Sequence, residues 1–120
     1  MSQPTSNPAQ QIIQVPCTGV LVQLTIKPSI KPQTFMPHMP AEVRDTVLLY
    51  LAGHISQWWS LCDSPGVLFL FTATSVEAVQ QLMAALPLVR EDLVDLTFTR
   101  VGPLTPLRTL VNIATPPQQP

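Results

Sequence analysis

The chain has 120 residues, enough for one domain; 46% are apolar and only 11% charged, with a net charge of −1 from six Lys/Arg and seven Asp/Glu. So few cations exclude a basic stripe for nucleic acid and a basic segment for a membrane surface, and the longest apolar runs, such as residues 67–71, fall far short of the ~18 residues of a spanning helix. Soluble domains ordinarily carry roughly 25% charge, so a lone subunit would expose much apolar surface, and self-association as a homodimer or higher ring is expected.

Residues 1–11 are polar and lack the charged and apolar regions of a signal peptide, so a cytoplasmic location is expected. Pro4, Pro8 and Pro16 punctuate a Pro/Gln-rich tail over 1–16, and Pro116, Pro117 and Pro120 a Pro-rich tail over 112–120. Both compositions read as tails flanking a domain at 17–111. Within it, residues 17–27 alternate and are β-branched, predicting a strand that Pro28 stops. Pro28, Pro32, Pro37 and Pro40 fill the connection that follows. From Pro40, the recurrence of Val43, Val47, Leu51 and Ile55, broadened by Leu48, predicts a helix over 40–57 with that stripe facing the core.

Residues 58–63 predict a short strand, Ser64-Pro65-Gly66 a turn, and residues 67–73 an apolar strand completing a hairpin. Thr74 and Glu77 fit a capping box opening a helix whose face is Val76, Val79, Met83 and Leu86 and which Pro87 ends. Residues 93–101 predict the last strand, and a helical turn is expected over 106–111. The order β-α-β-β-α-β is the split βαβ pattern. The fold class is therefore α+β, ferredoxin-like, with a four-stranded antiparallel sheet carrying two helices on one face and the first strand beside the third and fourth.

Alternation sorts the sheet's faces. Val20, Val22, Leu24 and Ile26, with Val94, Leu96 and Phe98, should meet the helices; Leu21, Gln23, Thr25 and Lys27, with Asp95, Thr97 and Thr99, face away. The third strand is apolar on both sides, through Phe69 and Phe71 against Leu68 and Leu70, and such a sheet does not leave its second face in water. A second copy would cover it. Gln23, Thr25, Asp95 and Thr97 would then either pair across the interface or line a mixed-polarity pocket between subunits, with Trp59 beside them as a further ligand-binding candidate. Trp58 and Trp59 should point to opposite faces.

Residues 59–88 resemble the muconolactone isomerase-like branch of the dimeric α/β-barrel superfamily. The resemblance lies in Trp59 on the second strand, the turn and apolar strand after it, Ser75-Val76-Glu77-Ala78 and Leu86-Pro87-Leu88, and the alternating Asp95 later is similar in kind. The leader over 1–16 and the proline-rich connection over 28–40 depart from the family pattern. The resemblance implies a dimeric α/β barrel and cofactor-free isomerase chemistry on a small lactone or carboxylic acid.

The residues themselves leave the reaction open. There is no G-x-S-x-G, Walker loop, G-x-G-x-x-G or H-E-x-x-H, and four glycines cannot build a phosphate cradle. No cofactor is implied. A zinc site would need His38 or His54 to converge on Cys17 and Cys62; two reduced thiols and no metal are the expectation. These cysteines would sit two strand spacings apart, roughly 9.6 Å, beyond the ~7 Å a disulfide tolerates. Glu91 and Asp92 read as a solvated turn. An isomerase needs a proton shuttle, for which Asp95 and His54 are the catalytic candidates. The alternative is a non-catalytic small-ligand binder or an oligomeric scaffold.

Overall fold

The computed structural model of the protein describes residues 15–104. Residues 18–101 form one compact unit; the other unit comprises residues 1–17 and 102–120, and its described residues, 15–17 and 102–104, take no regular secondary structure. The helical turn expected over 106–111 lies outside the described residues, as do most of both tails.

The larger unit runs β1 (Gly19–Ile26), α1 (Pro32–Phe35), a 3-10 turn (Met36–His38), α2 (Met39–Leu51), β2 (Ile55–Ser60), β3 (Gly66–Phe71), α3 (Val76–Ala84), α4 (Pro87–Arg90) and β4 (Val94–Val101). Its single four-stranded sheet has the order β2-β3-β1-β4 with every neighbour antiparallel, an arrangement compatible with a ferredoxin-like fold. Val20, Val22 and Leu24 lie opposite Phe71, Phe69 and Val67 on one side and opposite Arg100, Phe98 and Leu96 on the other. This is the expected helix-facing set. It packs with Ile55, Val79, Met83, Leu86, Leu88, Leu93 and Val94 into the core, against which Met39 and Leu49 of α2 also rest.

The connection read as a proline-rich linker is largely helical. Proline stands in the first turn of α1, of the 3-10 turn and of α2, where its missing N–H costs nothing and its fixed φ suits the helix. α2 ends at Leu51, not at residue 57, because Gly53 takes φ +86°. Its N–H donates to the Tyr50 carbonyl at 3.0 Å and that of His54 to the Leu49 carbonyl at 3.0 Å, the paired bonds of a Schellman motif. His54 therefore lies beyond the helix, and Ile55 opens β2. α4 ends the same way, with Asp92 at φ 58° in the glycine's place, a conformation Asp tolerates better than most residues; the Asp92 and Leu93 N–H groups donate to Val89 and Leu88. Glu91 and Asp92 are exposed there, and Asp92 accepts from Lys27 Nζ at 2.8 Å.

Three expectations need correcting. The stripe Val43, Val47, Leu48 and Leu51 does not enter the core, for these residues are 53%, 37%, 56% and 72% exposed. A strict four-residue spacing drifts roughly 40° per step around a helix of 3.6 residues per turn, and α2 instead turns Met39, Glu42 and Leu49 inward. The cap of α3 is Ser75, whose hydroxyl accepts from the Ala78 N–H at 3.1 Å. Thr74 does not cap it: Ser75 has the extended conformation of a cap residue, and the Thr74 carbonyl is held by Arg100 Nε at 3.3 Å. Finally, β2 starts at Ile55 and closes at Ser60, where the Leu61 N–H donates to the Gly66 carbonyl at 3.0 Å. Cys62 consequently sits in the hairpin loop, and Cys17 precedes β1; both thiols are free.

Candidate functional site

The helix-free face of the sheet carries the residues singled out as a pocket. The register sets Trp59, Leu68, Gln23 and Thr97 in one row and Gly66, Thr25 and Asp95 in the next, so Gln23, Thr25, Asp95 and Thr97 form a contiguous polar patch over β1 and β4. Leu21, Leu68 and Leu70 beside them are half-buried, and Gln23, Asp95 and Thr97 are exposed. The two candidates for proton transfer are not brought together. Asp95 is on edge strand β4 and His54 precedes the opposite edge strand β2, three strand spacings across the sheet, roughly 14 Å, and also toward the opposite end of the strands, since Ile55 is level with Arg100. The His54 backbone is committed to the sheet edge, its carbonyl accepting from the Thr72 N–H at 2.9 Å.

A cavity lies on the other face. Between α2 and the β1–β3–β2 part of the sheet lies a cleft of about 500 Å³. Leu24, Val67 and Phe69 form its floor, Phe35, Met39, Val43 and Val47 its helical wall, and Trp58, Trp59 and Ser60 its rim. The exposed valines of α2 thus serve as cleft wall. Trp58 points to the helix side, opposite Phe69, and Trp59 lies opposite Leu68, so the pair diverges as expected. Trp58 stacks on Tyr50 with ring centroids 4.4 Å apart and planes 11° apart, an offset contact that ties α2 to β2 at one end of the cleft. Of the expected ligand-binding residues, Trp59 alone borders this cleft.

Glu42 is the one ionisable side chain among the cleft residues described, and it is 5% exposed. Its Oε1 accepts from the Leu88 N–H at 2.9 Å. The need for that bond is local: α4 begins Leu86-Pro87-Leu88, the Leu86 side chain offers no acceptor, and Leu88 carries the first free N–H of the helix. Glu42 supplies the cap from 46 residues upstream. Burial pushes its carboxyl above the ordinary Glu range, and nearby Asp45 adds to the rise; the Leu88 N–H, Arg90 and His38 act in the opposite direction. A desolvated carboxyl of this kind holds a proton more readily than a surface glutamate.

No protein-family model and no curated protein sequence matches the chain.

The sequence signal for Glu42 is its phase: Met39, Glu42, Thr46 and Leu49 recur at the alternating three- and four-residue spacing of a single helix face. Among the described residues no three His, Cys, Asp or Glu side chains converge as a metal site, and no helix is long and apolar enough to cross a membrane.

Proposed function

We propose that the protein is a homodimeric α/β-barrel domain that takes a small, largely apolar molecule into the cleft beneath α2 and handles a proton of that molecule at Glu42, the chemistry of a cofactor-free isomerase acting on a small lactone or carboxylic acid. One observation carries the reading: a buried carboxyl of raised proton affinity borders a cleft of about 500 Å³ whose other lining side chains are uncharged. That volume lies in the range of small-molecule sites, and a carboxyl displaced toward neutral pH suits general acid–base transfer. The second reading, binding without catalysis, is favoured by the lack of another ionisable cleft residue among those described to pass the proton on.

Assembly rests on the helix-free face. Leu21, Leu68, Leu70 and Trp59 adjoin there across three strands, and a second copy of the sheet would bury them with the polar patch of Gln23, Thr25, Asp95 and Thr97 at the margin. The two free thiols, Cys17 and Cys62, suit a reducing cytoplasm. A thermal-shift screen of the full chain against small lactones and carboxylic acids tests the function. A true ligand at a hundred times its Kd stabilises by about 2.7 kcal/mol; a screen in which no compound raises Tm sinks both readings.

A further inference from the structure

Resting on that reading of the cleft and narrowing it to its lactone arm, we propose that its ligand is an uncharged, apolar-bodied molecule bearing a carbonyl oxygen that accepts a hydrogen bond from the Glu42 carboxyl, and that free carboxylates are rejected. No Lys, Arg or His is among the described residues that border the cleft. A carboxylate entering it would leave water with no counter-charge on the cleft wall, since Arg90 and His38 act on Glu42 from outside the lining, and would come to rest beside another carboxyl. An unpaired buried charge costs several kcal/mol, and a like charge beside it adds to that. A neutral carbonyl avoids both costs.

The geometry also fixes which atom donates. Glu42 Oε1 is taken by the Leu88 N–H at 2.9 Å, and the described residues offer the other oxygen, Oε2, no hydrogen-bond partner. A proton on Oε2 is therefore free to point at a ligand oxygen, while Oε1 remains an acceptor for the helix. The direction in which burial moves this carboxyl favours the protonated form. The remaining polar groups on the cleft, the hydroxyls of Thr46 and Ser60 and the indole N–H groups of Trp58 and Trp59, can bond a neutral ligand but cannot balance a charge. A cleft of about 500 Å³ lies within the ~300–1,000 Å³ range of small-molecule sites, which leaves room for a fused ring pair.

The test is a comparison of three probes of one skeleton by amide-resolved NMR titration of the full chain at pH 5, where the upward shift of Glu42 leaves more of its carboxyl protonated than at neutrality: 2-acetylnaphthalene, naphthalene and 2-naphthoate. The expected result is shifts at Val43, Val47 and the Leu88 amide with the ketone, and ketone binding at least about tenfold tighter than that of 2-naphthoate, a difference of 1.4 kcal/mol or more. Naphthalene should bind more weakly than the ketone, since it lacks the acceptor. In Glu42→Gln the amide oxygen can keep the Leu88 N–H and its NH2 can still donate, so ketone affinity should stay within about threefold of wild type. Equal or tighter binding of 2-naphthoate, or of naphthalene, overturns the neutral-carbonyl assignment and leaves the cleft as a site. Loss of ketone binding in Glu42→Gln overturns the donor role. Cleft amides unmoved by all three probes overturn the reading of the cleft itself. The probe comparison needs no variant, so it stands even if Glu42→Gln folds poorly.

Discussion

Glu42 is a side chain with opposing duties, and replacing it separates them. Glu42→Ala deletes the acceptor from the Leu88 N–H, a group that α4 cannot satisfy from its own residues. Leaving such a buried donor unpaired costs about 1–3 kcal/mol, which in a unit of this size lowers Tm by about 4–8 °C per kcal/mol. Glu42→Gln keeps an oxygen for Leu88 and removes the ionisable group. Burial raises the pKa of Glu42 in the folded state above its ordinary, unfolded value. Its contribution is therefore fully present below the unfolded value and is lost as pH rises through the folded one. Wild type should lose stability over that window; Glu42→Gln should not, and should match or exceed wild type at pH 7. The alanine variant should be most damaging relative to wild type near pH 4, where wild type carries the proton. Thermal unfolding from pH 4 to 8 for the three proteins, with hydrogen exchange at Leu88, reads all of this. Parallel Tm–pH curves for wild type and the glutamine variant, or an unchanged Leu88 exchange rate in the alanine variant, would refute the reasoning.

Two further predictions concern the scaffold. Gly53 sits at φ +86° with no atom within 4 Å of an added Cβ, so Gly53→Ala should cost about 1–2 kcal/mol from backbone strain alone, measurable by urea denaturation; a neutral effect would contradict the Schellman ending of α2. Leu68→Lys places a charge in the middle row of the helix-free face, between Trp59 and Gln23. It should convert a dimer into monomers in sedimentation equilibrium without changing the far-UV circular dichroism, and a wild type that is already monomeric would remove the proposed barrel.

The element order and the sheet were legible in the sequence because period-two alternation is a strong signal where one face is buried. Val20, Val22 and Leu24 on β1 left no choice of register, and the face of α3 formed by Val76, Val79, Met83 and Leu86 was legible too, its cap alone being displaced by one residue, from Thr74 to Ser75. α2 was harder. Its most visible pattern, Val43, Val47 and Leu51, is a row that winds around the helix, and its true inner face includes a glutamate. Burial of Glu42 depends on a donor at Leu88, on another helix, and no local pattern announces that pairing. The helical character of residues 32–38 was hidden by prolines that looked like breakers and serve as first-turn residues. The site followed the same logic: the polar patch around Gln23 and Asp95 was readable from strand alternation, whereas the cleft depends on the tertiary placement of α2 over the sheet, which periodicity does not encode.

The account stands on the cleft beneath α2 as the place where a small molecule binds, and a crystal structure of the full chain with 2-acetylnaphthalene tests it most directly. The ligand should lie between Trp58 and Val47 with its carbonyl oxygen at about hydrogen-bonding distance, 2.5–3.0 Å, from the Glu42 carboxyl. Density for the ligand on the helix-free face beside Gln23, Thr25, Asp95 and Thr97, with the cleft holding only water, would contradict it.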